Sequence, residues 1–218
     1  MSTTLTSPPC DAVVARLFAE ADASDARLRE RRRAMPQDQQ PRLAAGNSDY
    51  RALYSELKDF YLAVSRETAR LLYVLARASR ASSIVEFGTS FGISTLHLAA
   101  ALRDNGGGRL IGTEFEAAKV AQARANIAAA GLEDLVEVRG GTRCRLWPAI
   151  CRQASILCCW TGPRICIPPC SRSSSRVCVR ARCWSPTTPI AVRTTLPGSA
   201  TRPAATCPFP LRTTLSSA

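Results

Sequence analysis

The last third of the chain contains no acidic residue. The sequence has 218 residues, and residues 141–218 hold 11 Arg but no Asp, no Glu and no Lys. Residues 1–140 are nearly balanced, with 18 Lys and Arg against 17 Asp and Glu, so almost all of the net charge of +12 comes from the end of the chain. A protein that binds nucleic acid through a uniformly basic surface is therefore excluded.

Long apolar runs are also missing. No stretch approaches the roughly eighteen apolar residues of a membrane span. Residues 1–9 are polar, and the helical stretch behind them carries acidic residues where a secretory signal would need an apolar core. We therefore expect a cytoplasmic protein that does not enter the membrane.

Cysteine, proline and tryptophan are concentrated behind residue 140. Residues 141–218 contain nine of the ten Cys, ten of the 14 Pro and all three Trp. This composition, with little helix or strand periodicity, predicts a poorly ordered segment. The alternative is a genuine basic module, whose arginines would bind nucleic acid without specificity and whose cysteines would ligate zinc, although none forms a C-x-x-C pair and no histidine follows. The cysteines in question are Cys158, Cys159, Cys166, Cys170, Cys178 and Cys183.

Hydrophobic periodicity divides the chain into three regions, residues 1–79, 80–140 and 141–218. In the first region, apolar spacing predicts helices over residues 11–34, 50–66 and 67–78. The second alternates short apolar strands with helices, in the order strand 83–88, helix 93–102, strand 109–114, helix 116–130 and strand 135–139. Such alternation predicts an α/β fold, a Rossmann-like doubly wound parallel sheet with N-terminal helices. We expect this sheet to be incomplete after its third strand.

A glycine turn after the first strand is the first part of the candidate site. In a doubly wound sheet, small ligands bind beyond the carboxyl ends of the strands. Gly88 allows a tight turn, and Gly92 opens the next helix, where free N–H groups suit an anionic group. The spacing is Gly-x-x-x-Gly, with Ser90 where a dinucleotide-binding turn has its middle glycine, and this weakens a pyrophosphate interpretation.

Two strand-end carboxylates indicate the kind of ligand. Glu86 would repel a pyrophosphate but could hold a cationic amino group, and Glu114 is placed to accept hydrogen bonds from two ribose hydroxyls. S-adenosylmethionine, with an amino acid at one end and a ribose further along, fits both. The competing interpretation is structural: a salt bridge for Glu86, a helix N-terminal charge for Glu114, and a simple strand-to-helix turn for the glycines.

Three motifs between about residue 64 and residue 139 resemble one family. They are Ser65-Arg66-Glu67-Thr68 with Leu71-Leu72, Val85-Glu86-Phe87-Gly88-Thr89-Ser90-Phe91-Gly92-Ile93-Ser94, and Gly112-Thr113-Glu114. In this combination the sequence resembles the class I S-adenosylmethionine-dependent O-methyltransferases, in particular the group of caffeoyl-CoA and catechol O-methyltransferases and their bacterial relatives. The resemblance implies S-adenosylmethionine as cofactor, a small-molecule hydroxyl as methyl acceptor, and a possible homodimer.

The resemblance also implies roles for the site residues. Glu86 would meet the methionine amino group, Ser94 the carboxylate and Glu114 the ribose. The backbone near Val64 would close over the cofactor, and Gly88 and Thr89 would form the loop side of its site, in the turn that Gly92 completes. No catalytic residue is assigned. We expect His97 to be a packed or surface residue of its helix, and Arg124 and Asn126 to lie on a helix surface.

The resemblance stops at residue 140. Family members continue with an acidic residue that contacts adenine, a fourth strand that ends in a catalytic or metal-binding Asp, and a fifth that ends in Asp-Asn. Although a divalent metal is possible in the family, residues 141–218 contain no carboxylate that could bind one.

A displaced reading frame explains the change. If each codon after about Gly140 starts on the third base of the codon observed, Cys158-Cys159-Trp160-Thr161 encodes Leu-Leu-Asp whatever codons are used. In the same frame, residues 182–189 permit Leu-Leu-Val-Ala-Asp-Asn-Ala. We therefore hypothesise an O-methyltransferase gene translated out of frame from about residue 141, which leaves the chain inactive or unstable. The alternative function is a noncatalytic basic protein that binds nucleic acid through its arginine-rich end.

Overall fold

The computed structural model describes residues 2–34 and 57–141, together with the backbone of residues 157–160, 176–180 and 191–195. In the first part, a short 3-10 helix, Thr4–Thr6, leads into helix α1, Cys10–Ala34. Helix α1 packs on the core through buried side chains such as Leu17 and Phe18. The helix predicted over residues 11–34 is confirmed.

The second predicted helix is wrong where the structure describes it. Residues 57–65, here called the 57–65 segment, are nonhelical, and residues 50–56 lie outside the described part. Leu62 has φ +47°, which a right-handed helix does not accommodate. Ser65 instead accepts a hydrogen bond from Thr68 N at 3.2 Å and caps helix α2, Arg66–Ala78. The apolar spacing of the 57–65 segment therefore reflects tertiary contacts rather than a helical face.

The strand–helix–strand–helix–strand order is confirmed, with ends within two residues of those predicted. It comprises β1 (Ser83–Phe87), α3 (Ile93–Asp104), β2 (Arg109–Glu114), α4 (Ala117–Ala129) and β3 (Val136–Gly140). Strand β1 pairs with β2, and β2 with β3, in parallel. Helix α3 is buried on nearly all sides because it lies against α1, α2 and the sheet.

The sheet continues beyond β3, whereas we expected it to stop there. Strands β4 (Leu157–Trp160), β5 (Arg176–Arg180) and β6 (Ala191–Thr195) extend it in the order β3-β2-β1-β4-β5-β6, with β6 antiparallel. The edge of β1 opposite β2 has backbone groups that can pair with a further strand, and β4 pairs there. Two of the three added strands contain β-branched residues, which suit an extended conformation. Because β2 and β4 lie on opposite sides of β1, the strand order reverses at β1, where doubly wound sheets bind ligands.

His97 is a buried polar side chain of helix α3. His97 is 2% exposed; its Nδ1 lies 2.8 Å from the carbonyl oxygen of Ile93, and its ring meets that of Phe18 edge-on. The expectation of a packed helical residue is confirmed.

Within the described residues, no helix is both long and apolar enough for a bilayer. The cytoplasmic location stays a prediction.

Candidate functional site

The turn between β1 and α3 is held in a left-handed conformation at three positions. Gly88 and Gly92 have φ +91° and +96°, which suits glycine, and Ser90 has φ +49°. The N–H groups of Gly88 and Thr89 both donate to the carbonyl of Thr113 on β2, at 2.9 and 3.1 Å. The turn is therefore fixed to the neighbouring strand before any ligand arrives.

Glu114 ties the end of β2 to the same turn. Its Oε2 accepts a hydrogen bond from Ser90 N at 2.9 Å, and its Oε1 accepts from Phe115 N and Glu116 N at 2.9 and 3.1 Å. The side chain is 7% exposed. A carboxylate has about four acceptor sites, so Glu114 retains capacity for a ligand hydroxyl. The backbone donors preorganise it for that contact.

Glu86 lies beneath the turn and is fully buried. Ser94 Oγ donates to Glu86 Oε1 at 2.5 Å, and the hydroxyls of Thr95 and Thr89 donate to Oε2, the latter at 3.3 Å. Burial is the main cause that raises the pKa of Glu86 to about 7; the hydroxyl bonds oppose it, and the charge of Glu114 adds to it. A ligand amino group would reach this carboxyl only after a hydroxyl moved aside.

A small cleft, whose cavity has a volume of about 10 Å³, lies between the glycine turn and the 57–65 segment. Its lining residues are Tyr61, Leu62, Ala63, Val64, Gly88, Thr89, Ser90, Phe91, Ile93 and Ser94. Val64, Gly88, Thr89 and Ser94, all predicted from the sequence, thus come together around one opening. The structure places Glu86 and Gly92 behind this lining, and Glu114 adjoins it through its bond to Ser90.

Aromatic residues missed by the sequence analysis close one side of the cleft. The rings of Tyr61 and Phe91 stack with centroids 4.0 Å apart, and Ser90 Oγ donates to the carbonyl of Tyr61 at 2.7 Å. The Tyr61 hydroxyl donates to Glu20 on α1, and Ser24 Oγ accepts from Tyr61 N at 3.0 Å. Tyr61 therefore joins helix α1 to the glycine turn. The only sequence signal was an aromatic pair in a segment that resembled a helix.

Helix α4 supports Phe91 from behind with two buried polar side chains. Lys119 Nζ donates to the carbonyl of Phe60 at 2.9 Å and lies 5.3 Å from the centre of the Phe91 ring. Asn126 Nδ2 donates to the carbonyl of Phe91 at 2.9 Å, and Asn126 Oδ1 accepts from Arg16 at 2.9 Å. Asn126 is 1% exposed, so its predicted place on the helix surface is wrong, whereas Arg124 is exposed as expected. The amide of Asn126 is buried because it donates a hydrogen bond to a backbone carbonyl against which helix α4 packs.

Gly112→Ala is expected to lower the free energy of unfolding by about 1–3 kcal/mol. A Cβ at Gly112 would overlap Thr89 Oγ1 and lie 3.7 Å from Glu86 Oε2. Rotating Thr89 away would break its bond to Glu86. Urea unfolding measures the loss, and Gly140→Ala is the matched control, because among the described residues its Cβ would meet only Val120, at 3.9 Å. Equal effects of the two substitutions would contradict the proposed crowding.

Comparisons of sequence find similarity to methyltransferases. Residues 85–155 match the family model described as a methyltransferase domain. A catechol O-methyltransferase from Niastella koreensis is 35% identical over 94 residues, which are 43% of this chain and 42% of the relative. The chain thus aligns with less than half the length of that protein.

Solved structures share the fold. The O-methyltransferase TomG from Streptomyces achromogenes, involved in tomaymycin synthesis and solved with S-adenosylmethionine, is 29% identical with a TM-score of 0.50, over 62% of this chain and 66% of that one. An O-methyltransferase from Bacillus cereus, solved with S-adenosylhomocysteine, has the same TM-score at 20% identity, over 79% of this chain and 67% of that one. Residues 85–155 are thus similar to a methyltransferase domain, and part of the chain is similar in sequence and fold to O-methyltransferases.

Proposed function

We propose that this chain binds S-adenosylmethionine between the glycine turn and the 57–65 segment, as an O-methyltransferase that acts on a small-molecule hydroxyl. The observation that carries the proposal is the buried carboxylate of Glu114, fixed by three backbone N–H groups beside the turn where the strand order reverses. Together with the similarity to O-methyltransferases, this favours a ribose-bearing cofactor over a dinucleotide, because the turn has no middle glycine.

Each described part of the site has a place in cofactor binding. Glu114 accepts a hydrogen bond from a ribose hydroxyl, and the turn at Gly88 and Thr89 lies along the chain between ribose and methionine. Ser94, in the first turn of α3, faces the methionine carboxylate together with backbone N–H groups that have no partner within the helix. The backbone at Val64 covers this end from the opposite side of the cleft.

The reaction itself needs little covalent help from the protein. A hydroxyl oxygen of the acceptor attacks the methyl carbon, the bond from carbon to sulfur breaks, and its electron pair stays on sulfur, which gives S-adenosylhomocysteine. The hydroxyl proton passes to a base. Holding the two reactants in line supplies most of the rate enhancement in such a transfer. His97 is not that base, since its ring is directed at the carbonyl of Ile93 and at Phe18, away from the cleft.

A metal ion does not fit the described residues. They contain no group of three or more His, Cys, Asp or Glu side chains that could hold one. Residues 141–218 also have no carboxylate in their sequence. The divalent metal that the resemblance allows therefore has no ligand set in the described part of the chain, and no step is derived through it. The homodimer stays a prediction.

We further propose that the coding frame is displaced from about residue 141. The position of β4 supports this, because its last residue, Trp160, pairs with Phe87 at the start of the glycine turn. In the displaced frame the codon that spans residues 160 and 161 encodes the Asp of Leu-Leu-Asp, so the carboxylate would stand at the strand end beside the cofactor site. Residues 182–189, whose codons permit the Asp-Asn in the displaced frame, lie outside the described residues. Sequencing codons 135–150 tests the proposal, and an intact frame without a continuation in the displaced frame would contradict it.

Glu114→Ala is expected to weaken S-adenosylhomocysteine binding by about tenfold to a hundredfold, since a hydrogen bond to a charged group contributes about 1.5–3 kcal/mol. Isothermal titration calorimetry on the full chain measures the change. Glu116→Ala is the matched control, because Glu116 is the neighbouring carboxylate and makes no side-chain bond at the start of α4. Binding that follows salt concentration alone, with both variants alike, would favour a nucleic-acid-binding protein instead.

A further inference from the structure

Three hydroxyl groups converge on one buried carboxyl beneath the cleft. Ser94 and Thr89 both line the cleft and both donate to Glu86, whereas Thr95, the third donor, is fully buried. A Ser or Thr hydroxyl has a single hydrogen to donate. All three hydrogens are therefore directed at Glu86, and the two residues that face the cleft present only oxygen lone pairs to it.

This arrangement conflicts with the binding of an anion at Ser94. A carboxylate accepts hydrogen bonds and donates none, so it needs the hydroxyl hydrogen that Ser94 now gives to Glu86. An ionised Glu86 would also repel a second carboxylate nearby, in surroundings where burial weakens solvent screening. The conflict disappears if Glu86 is protonated, because its O–H then donates to Ser94 Oγ and the hydrogen of Ser94 turns toward the cleft.

We propose that Glu86 takes up a proton when an anionic group binds beside Ser94, so that Ser94 becomes a donor to that group. The inference rests on the proposed function, in which the anionic group is the methionine carboxylate of the cofactor. Apart from the new O–H bond of Glu86, no covalent bond changes: one proton moves from solvent to Glu86, the hydrogen bond between Ser94 and Glu86 reverses its direction, and Ser94 donates a new one to the ligand. Glu86 is thus a positioning residue that acts through Ser94 and does not touch the ligand.

The surroundings of Glu86 make this proton available near neutral pH. Burial and the charge of Glu114 on β2 hold the pKa of Glu86 at about 7. Lys119 on α4 donates to the carbonyl of Phe60, and Nδ1 of His97 on α3 lies 2.8 Å from the carbonyl oxygen of Ile93. A direct ion pair with the ligand's amino group would need ionised Glu86. The two roles therefore predict opposite effects of pH.

Calorimetry with S-adenosylhomocysteine between pH 6 and 9 tests the proposal. Titrations in two buffers of different ionisation enthalpy count the protons exchanged. We expect an uptake approaching one proton per ligand above pH 7, and an affinity that falls by up to about tenfold per pH unit there. Methylthioadenosine lacks the amino acid and is expected to bind without this uptake. An affinity that rises through pH 7, or a proton count of zero, would overturn the inference.

Two variants assign the proton to Glu86. Glu86→Gln keeps the shape and cannot ionise, and its amide donates to Ser94 Oγ, so binding is expected to persist with a flatter pH profile and no uptake. The ligand's own amino group also titrates, but it contributes equally to the proton counts of the unaltered chain and of Glu86→Gln. The difference between the two counts therefore excludes it. Ser94→Ala should lose the uptake together with affinity. An unchanged uptake in either variant would refute the proposal.

The outcomes also separate this inference from the proposed function. Binding of S-adenosylhomocysteine without proton uptake would overturn the inference alone. Failure of both nucleosides to bind at every pH would overturn the proposed function, and the inference with it. The proton count of the unaltered chain needs no variant, so a failure of Glu86→Gln to fold leaves the decisive measurement intact.

Discussion

Inserting one base between codons 139 and 141 is expected to convert a chain without measurable methyl transfer into an active methyltransferase. The described residues form the proposed cofactor site, but among them no group of three or more His, Cys, Asp or Glu side chains could hold a metal ion. The displaced frame encodes an Asp at the end of the fourth strand and permits an Asp-Asn pair further on, where the observed frame has no carboxylate. Such groups at strand ends are the kind that position a hydroxyl and accept its proton.

The frame also decides what covers the sheet. In the observed frame, the backbone of β4 extends the sheet next to β1, but residues 141–218 carry 11 Arg and no acid in their sequence. Like charges that stay unpaired repel one another in a compact domain. In the restored frame, Leu-Leu takes the place of the cysteines of the fourth strand, and these apolar side chains can bury against the core. We therefore expect higher solubility and a cooperative unfolding transition as well as activity.

The measurement is the release of S-adenosylhomocysteine with a panel of phenolic and aliphatic hydroxyl acceptors, with and without Mg²⁺. Insertion of three bases at the same codon is the matched control, since it lengthens the chain but keeps the observed frame. Equal turnover by the observed chain and the restored one would contradict the proposal, and so would a restored chain that binds S-adenosylhomocysteine but methylates nothing in the panel.

Local sequence predicted the part of the fold in which one element follows the next. Strand β1, the glycine turn and helix α3 are recognisable because the period of apolar residues changes at Gly88 and again at Ile93. The 57–65 segment was mistaken for a helix because the positions of Leu57, Tyr61 and Val64 fit a helical face. What fixes it is remote: Ser24, Ser90 and Lys119 bind its backbone, and no local pattern shows a contact across such distances in the chain.

The site was predicted in part for a similar reason. Residue type and position at strand ends found Glu86 and Glu114, but neither shows which way a side chain's hydrogen bonds point. The three hydroxyls that bind Glu86 come from the turn and from the first turn of α3, so its full burial follows only from the packed structure. Asn126 was assigned to the helix surface, and only its bonds to the carbonyl of Phe91 and to Arg16 show why it is buried.

Glu86→Gln is expected to raise the free energy of unfolding relative to the unaltered protein as pH increases. Between pH 5 and pH 8, this difference between the two proteins should grow by up to about 3 kcal/mol. The folded pKa of Glu86, about 7, lies above its ordinary value of 4.5 because burial disfavours the charge. The folded state therefore holds this proton more tightly than the unfolded state, and the associated stability is full below pH 4.5 and is lost as pH rises to 7. Glutamine carries no charge and avoids the loss.

Two other groups must be separated from this effect, and the difference between the two proteins does so. Burial lowers the pKa of His97, which adds stability above its ordinary value of 6.5 and removes it as pH falls, opposite in sign to Glu86. The bonds of Glu137 to Arg139 and Arg109 lower its pKa to about 2, so its contribution is constant above pH 5. Both are the same in the variant and cancel when urea unfolding is compared at pH 5, 6, 7 and 8. If the two proteins have parallel stability profiles, Glu86 does not titrate in this range. Its three hydroxyl donors would then stabilise a carboxylate that is charged throughout this pH range.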